Sequence, residues 1–337
     1  MLRDGELEQT GRAIAARQLP NGLLPWASDG YAEAWDHVEA AMALDLAGRR
    51  REAEHAYEWL VANQRPDGSW PLAYRHGEIE DHGGDANHAA YCATGIWHHF
   101  LTTDDRGFLT DMFPVLEKGV TFALDLQMPG GEIRWARGAR GVYPKALVTC
   151  CSSIHLSLRC AAAAALELGR PRPDWETAAD RVALALRERP HAFEPKPLHS
   201  MDWYYPVLGG VLRGDEAAAR ISDRWDEFVI DGVGVRCMAD RPWVTVAETC
   251  ELVLALDAAG LRDEALEVFG WITQLRAPDG AYWEGIVLPD RVEWPGRRPP
   301  WTAAAVLIAN DALAGETPTS ALFRTAALDE DSLESIA

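Results

Sequence analysis

Residues 44–70 read LDLAGRRREAEHAYEWLVANQRPDGSW, and residues 256–282 read LDAAGLRDEALEVFGWITQLRAPDGAY. At this constant offset of 212 residues, eleven of the 27 positions are identical. Each copy contains the end of one helix, a glycine turn, a second amphipathic helix and a Pro-Asp-Gly turn. Self-similarity at a fixed spacing is typical of folds built from repeated helical units.

The offset also predicts how many units the chain contains. A helical hairpin with its loops takes roughly 50 residues, so the offset corresponds to four hairpins of about 53 residues each. Six such hairpins use most of the 337 residues. The sequence therefore predicts an all-α fold, an (α/α)6 barrel or toroid of six helical hairpins. We expect a single domain over residues 1–318, followed by an acidic, flexible tail over residues 319–337.

Hydrophobic periodicity predicts which helices form each ring of the toroid. Twelve helices are predicted, at residues 3–17, 31–47, 50–64, 86–101, 107–127, 146–168, 174–188, 202–213, 215–228, 244–259, 263–275 and 300–314. The even-numbered helices carry more apolar residues around their circumference, which is typical of a sandwiched inner helix, whereas the odd-numbered ones are apolar on one side. Strand signals are sparse, with short extended segments expected at residues 131–135, 232–237 and 281–287.

Composition excludes several classes of partner. The formal net charge is -20, which argues against binding to nucleic acid or to anionic membranes. The N-terminus lacks the pattern of a signal peptide, and no apolar stretch has the length of a membrane span. We therefore expect a cytoplasmic protein without membrane insertion. No sequence motif indicates a cofactor, and the histidines and cysteines show no convincing spacing for a metal site.

Polar and aromatic residues concentrate where the predicted inner helices begin. Because the loops that enter these helices share one rim, such residues are expected to line a cup. The predicted catalytic residues are Asp85, Asp202, Glu248 and Glu284, since carboxylates buried in a cup can serve as acid and base. The predicted substrate-binding residues are Trp35, Asp36, His88, Tyr91, Trp203, Tyr204, Trp243 and Trp301. A structural alternative remains open for Asp85 and Asp202, because either can cap a helix N-terminus.

Two known families resemble this sequence. Gln64, Gly68 and Trp70 are similar to the Gln-Gly-Trp repeats of terpene cyclases and prenyltransferases, and Gln18, Gln127 and Gln274 begin looser copies. The Asp-rich acid motif of squalene-type cyclases is absent from the sequence. The repeat also has a purely structural interpretation, in which it pins outer helices to their loops.

The second resemblance is to the six-hairpin glycosidases, especially the glucoamylase-type enzymes. It covers roughly residues 85–313 and lies in the order and general character of the segments more than in sequence identity. Residues 132–158 are similar to that family's general-acid segment, and residues 281–307 are similar to its general-base segment, which places Glu284 near the base. Trp135 or Ala136 stands where the family has its acid glutamate, so the acid would come from Asp202 or Glu248.

These observations lead to three hypotheses about function. The first is a carbohydrate-active enzyme, a glycoside hydrolase, lyase or isomerase, that uses carboxylate acid/base chemistry on a sugar or glycoside in an aromatic-lined cup. The second is a terpene cyclase-like or prenyltransferase-like protein that handles an isoprenoid. The third is a toroid that binds a ligand without chemistry. Carboxylates beside stacking aromatic rings would favour the carbohydrate-active enzyme. A dry aromatic cup around one Asp would favour the isoprenoid-handling protein. A cup without paired carboxylates would favour the ligand-binding toroid.

Overall fold

A computed structural model describes residues 1–26, 29–294 and 296–324. Within them the chain forms thirteen α-helices, and the predicted all-α class is confirmed. The helices are α1 (Asp4–Ala15), α2 (Ala34–Leu46), α3 (Arg50–Asn63), α4 (Ala86–Thr103), α5 (Arg106–Leu124), α6 (Val148–Glu167), α7 (Pro173–Glu188), α8 (Ser200–Leu208), α9 (Gly214–Asp223), α10 (Trp225–Phe228), α11 (Val246–Ala258), α12 (Arg262–Trp271) and α13 (Pro300–Ala314). Each predicted helix has a counterpart, except that the one at 215–228 is divided at Arg224 into α9 and α10.

The helices form two concentric rings, as the periodicity predicts. The inner ring runs α2, α4, α6, α8, α11 and α13, and it closes because α13 packs against α2. Each outer helix packs on an inner neighbour, for example α3 on α2 and α12 on α11. In α13 every residue from Thr302 to Leu313 is buried, whereas the buried residues of α7 lie on one side of the helix. The wide apolar surface of the inner helices therefore places them between the outer ring and the axis.

In the described part of the chain, ten short strands lie in the loops that enter the inner helices. They are β1 (Tyr31–Ala32), β2 (Pro71–Arg75), β3 (Glu78–Asp85), β4 (Ala136–Gly138), β5 (Gly141–Val142), β6 (Val229–Ile230), β7 (Gly234–Arg236), β8 (Trp243–Thr245), β9 (Gly285–Val287) and β10 (Val292–Glu293). They form two antiparallel sheets, in the orders β1-β2-β3-β4-β5 and β10-β9-β8-β7-β6. The expected segments at 232–237 and 281–287 contain β7 and β9, but the β2–β3 hairpin was not predicted.

The Gln-Gly repeat fixes each of these loops to an outer helix. The Gln64 side-chain amide donates to the carbonyls of Gly68 (3.1 Å) and Val115 (2.8 Å). Gly68 has a φ of +90°, and a Cβ there would lie 2.1 Å from the Lys118 carbonyl oxygen, so this close approach requires glycine. The same pair of bonds joins Gln18 to Gly22 and Glu52, and Gln127 to Gly131 and Ala178. In this fold the repeat therefore has the structural role that the sequence analysis left open.

The end of the described chain closes the far side of the ring. Leu322 and Phe323 are buried in the core, and the Thr319 hydroxyl donates to Asp311 at 2.8 Å. The packed region thus extends past the predicted boundary at residue 318 as far as Arg324. The rest of the predicted tail, residues 325–337, lies outside the described residues.

One described helix, α6, has the length and apolar composition of a membrane span. In the structure 83% of its most apolar 18-residue window is buried. A core helix of the inner ring has the same properties, so this helix is weak evidence for a membrane span.

Candidate active site

The candidate site is the cup at the N-terminal ends of the six inner helices. The two sheets surround it, since their strands lead into α2, α4, α6, α11 and α13. The ring order divides the cup into two halves, one formed by α2, α13 and α11 and the other by α4, α6 and α8.

The first half of the cup contains two equivalent pairs of acids. Helices α2 and α11 each have 13 residues, and their bounds differ by the same offset of 212 that relates the two sequence repeats. This offset matches Asp36 with Glu248 and Glu39 with Glu251. All four residues are buried, and members of a pair are three residues apart, so they lie on one face of their helix.

The deeper acid of each pair forms the floor of the cup. Glu39 accepts hydrogen bonds from Trp35 Nε1 (3.0 Å), Tyr91 Oη (2.9 Å) and Trp301 Nε1. Burial raises the pKa of Glu39, and these three donors oppose the shift. The oxygens of Glu39 are therefore occupied, and the carboxylate fixes three aromatic rings beside the axis.

Glu251 has the same role across the floor. It accepts hydrogen bonds from the hydroxyls of Tyr205 (2.6 Å) and Tyr204. Burial raises its pKa well above the usual range, and the charges of Glu39 and Glu248 add to the shift. The floor thus combines two buried carboxylates with five aromatic donors.

The outer acids of the pairs, Asp36 and Glu248, have fewer hydrogen-bond partners on their carboxylate oxygens. Glu33 is the neighbour of Asp36, and Cys237 is the neighbour of Glu248. The aromatic donors that bind Glu39 and Glu251 are not bonded to either of them. Burial raises the pKa of Asp36 well above its usual range, and the charges of Glu33 and Glu39 contribute. The pKa of Asp36 is therefore shifted in the direction that a proton donor requires.

Glu284 is the third acid with a free oxygen. It directly precedes β9, and its backbone carbonyl accepts from Val246 N at 2.9 Å, which fixes it beside α11. Its Oε2 has no hydrogen-bond partner in the described part of the chain and lies 3.7 Å from Arg297 Nη1. Burial raises the pKa of Glu284 to about 7, Arg297 lowers it, and the charge of Glu248 raises it.

Because the pKa of Glu284 is raised, stability should depend on pH through this residue. The folded protein binds the proton more tightly than the unfolded chain, so wild-type stability falls as the pH rises from about 4.5 to about 7. We expect Glu284→Gln to remove this loss and to be more stable than wild type by about 1–2 kcal/mol above pH 7. The whole shift, at about 1.4 kcal/mol per pKa unit, would give a larger gain, but solvent screens the partly exposed carboxylate.

Denaturant unfolding at pH 4 and pH 8 measures this effect. The exposed Glu293, on the neighbouring strand β10, provides the matched control Glu293→Gln. A gain for Glu284→Gln that is equal at both pH values, or absent at pH 8, would contradict the assignment.

The other half of the cup contains the remaining predicted acids. Asp85 accepts from the backbone amides of Asn87 (2.6 Å) and His88 (3.1 Å), so it caps α4. Asp202 accepts from the Thr149 hydroxyl at 2.7 Å, and burial raises its pKa. Burial raises the pKa of the nearby Cys150 thiol, and the charges of both acids raise it further. The structure therefore places Asp85 and Asp202 on the same rim as Glu248 and Glu284, but with structural partners.

Most of the predicted aromatic residues lie in the cup. Trp35, Tyr91, Tyr204 and Trp301 belong to the floor. The half-buried Trp243 is on the rim, with its ring 5.4 Å from that of Trp294. His88 is buried on the first turn of α4, and its Nδ1 lacks a hydrogen-bond partner over the described residues.

Trp203 is the exception, and its predicted role in the cup needs correction. It is fully buried, donates to the Arg220 carbonyl (2.8 Å) and stacks on Phe228 at 5.4 Å. Both partners belong to the outer layer. Successive residues of an α-helix differ by about 100° in direction, so Trp203 faces outward while Tyr204 faces the axis.

Three residues of the site were not predicted from the sequence, namely Glu39, Tyr205 and Cys237. Extending the 212-residue match upstream from Leu44 to Ala34 would have found Glu39, because the extension pairs it with Glu251. Among the described residues, no group of three or more His, Cys, Asp or Glu side chains is arranged to hold a metal ion.

Solved structures of known proteins share this fold. No protein-family model matches the chain. Among solved structures, a wild-type glycosidase superposes with a TM-score of 0.73 at 17% identity, covering 92% of this chain and 98% of the other. The GH63 mannosylglycerate hydrolase of Thermus thermophilus superposes with a TM-score of 0.68 at 14% identity, covering 89% and 99%. A D-mannose isomerase gives 0.65 at 11% identity, covering 90% and 95%.

The toroidal fold, together with a relative that is a mannosidase, places this chain among the glycoside hydrolases. The chain is also 52% identical over 324 residues to the MMP endo-(1,4)-3-O-methyl-alpha-D-mannosidase of Mycolicibacterium hassiacum, covering 96% of this chain and 90% of that protein. The chain therefore belongs to the family of that mannosidase. The resemblance to terpene cyclases finds no support in these comparisons and stays a prediction.

Proposed function

We propose that this chain is an endo-acting mannosidase that hydrolyses α-(1→4) bonds between 3-O-methyl-D-mannose residues. The substrate class comes from the mannosidase that is 52% identical to the chain over nearly its full length. The cup supports it, because carboxylates lie beside aromatic rings, the combination expected for a sugar-cleaving site. A neutral saccharide also meets no repulsion from the net charge of -20.

In this proposal Asp36 is the proton donor and Glu248 is the base. Asp36 gives its proton to the glycosidic oxygen while Glu248 takes a proton from the water that attacks the anomeric carbon. One observation carries this assignment: the two carboxylates occupy equivalent positions of the repeat, and neither is taken up by the aromatic donors that occupy Glu39 and Glu251. Glu284 lies beside the base, and the negative charge of Glu248 raises the pKa of Glu284.

Aromatic side chains orient the sugar over these acids. Trp35 and Trp301 are half-buried and are fixed by Glu39, so their rings are ready to stack on the C–H faces and methyl groups of the substrate. The floor also contains two buried carboxylates, and this polar surface is unlike the dry cup that an isoprenoid would require.

The test is digestion of α-(1→4)-linked 3-O-methylmannose oligosaccharides of several lengths, with product masses followed over time. We expect internal cleavage into shorter oligosaccharides, and much slower reaction of an α-(1→6)-linked mannan used as control. Release of terminal monosaccharides alone, or no cleavage of any mannoside, would overturn the proposal.

A further inference from the structure

A second concave surface lies beside the cup, between the end of α1 and the loop that enters α13. Residues 16–19 and 296–300 form its two sides, and Trp26, Gly30 and His76 complete the lining. This groove has a volume of about 420 Å³, within the range of sites for small ligands. None of the acids proposed for catalysis lines it.

The groove presents the side-chain chemistry that sugars need. Trp26 is half-buried, so one part of its indole is accessible. The Arg297 guanidinium lies 5.4 Å from the centre of that ring. An indole provides a flat apolar surface for sugar C–H groups, and the guanidinium and the His76 imidazole can bond hydroxyl and ether oxygens.

The groove is connected to the catalytic acids on two sides. On one side Arg297 lies 3.7 Å from Glu284, and its carbonyl accepts from the Glu284 amide at 3.0 Å. On the other side the Trp26 ring contacts the Tyr31 ring edge-on at 6.0 Å. The Tyr31 hydroxyl donates to Glu33 at 3.1 Å, and Glu33 is the neighbour of Asp36. A ligand in the groove is therefore next to the cup.

The wall between Gly30 and His76 is tightly built. The His76 amide donates to the Gly30 carbonyl at 2.9 Å. Gly30 has a φ of +77°, and a Cβ there would lie 2.5 Å from His76 Nδ1. Both residues are thus fixed in place before any ligand binds.

We propose that this groove binds the part of the oligosaccharide chain that extends out of the cup, so that the enzyme recognises several sugar residues beyond the scissile bond. The inference rests on the proposed function for the identity of the sugar. It explains how an enzyme of this fold could act within a chain, because binding outside the cup favours long substrates over terminal residues. Trp26 is the stacking residue of this subsite, and Arg297 joins it to the active site.

Binding measured without turnover tests the groove. In the Glu248→Gln background, calorimetry compares a 3-O-methylmannose tetrasaccharide or longer oligosaccharide with the disaccharide. We expect Trp26→Ala to weaken binding of the long ligand about tenfold and to change disaccharide binding much less. The control is Trp271→Phe, a half-buried indole on the outer helix α12, which should leave the ratio of the two affinities at its starting value.

The outcomes separate this inference from the proposed function. An equal effect of Trp26→Ala on both ligands, or no effect on either, would overturn the groove even if the enzyme cleaves methylmannose chains. Length-dependent binding that Trp26→Ala abolishes, in a protein that cleaves no mannoside, would sustain the groove and refute the proposed reaction.

Discussion

Glu248→Gln and Asp36→Asn are each expected to lower kcat/KM on the oligosaccharide substrate by about a hundredfold to ten-thousandfold. General acid and base groups contribute roughly 10²–10⁴-fold each, and either substitution removes one proton-transfer partner while preserving shape. Asparagine has no proton to donate to the glycosidic oxygen, which is the role proposed for Asp36. Initial rates, together with circular dichroism to verify folding, measure the effect.

A matched control changes a buried acid at the other end of the ring. Asp311 lies near the C-terminal end of α13, accepts from Thr317 and Thr319, and has a pKa that burial raises. Asp311→Asn should lower stability and leave kcat/KM within about twofold of wild type. Near-normal activity of both Glu248→Gln and Asp36→Asn would refute the proposed pair. Total loss in Asp202→Asn alone would instead support the prediction made from the sequence.

The ring could be predicted because its information is local and repeated. The periodicity of each helix reports which side is apolar, and the 212-residue offset reports how many hairpins separate two equal units. The β2–β3 hairpin lacks such a pattern. Residues 78–82 are exposed, and all but Ile79 are polar. The hairpin is stabilised by pairing with β1 and β4, which are distant in sequence.

The site was predictable only in part, for a different reason. A first-turn acid on an inner helix is visible in the sequence, but its hydrogen-bond partners are on other helices. Glu39 is 52 residues from Tyr91 and 262 from Trp301, so no local pattern indicates that it fixes both rings. Trp203 was predicted to line the cup, but it packs against the outer layer. Neighbouring residues of α8 point in different directions, and a shift of one residue separates the axis from the outer layer.

The two tryptophans of the repeat differ in how deeply they are packed. The 212-residue offset pairs Trp59 with Trp271, so the sequence predicts both to be buried at equivalent places. Trp59 is 3% exposed, as predicted, but Trp271 is only half-buried. Helix α3 continues to Asn63, whereas α12 ends at Trp271 and a 3₁₀ turn follows over Ile272–Leu275. The tighter winding of that turn changes the direction in which the chain leaves the tryptophan.

Trp59→Ala should therefore cost about 3–5 kcal/mol of unfolding free energy, and Trp271→Ala a smaller amount, about 1–2 kcal/mol. Trp59 packs between His37 (ring centres 4.7 Å apart) and Tyr74 (5.1 Å), so its removal leaves a cavity that α2 and β2 cannot fill without moving. Around Trp271, solvent already reaches part of the indole and can occupy the space. Denaturant unfolding, with refolding checked, gives both values. A loss below about 1 kcal/mol for Trp59→Ala, or equal losses for the two variants, would show that the repeat packs differently from this description.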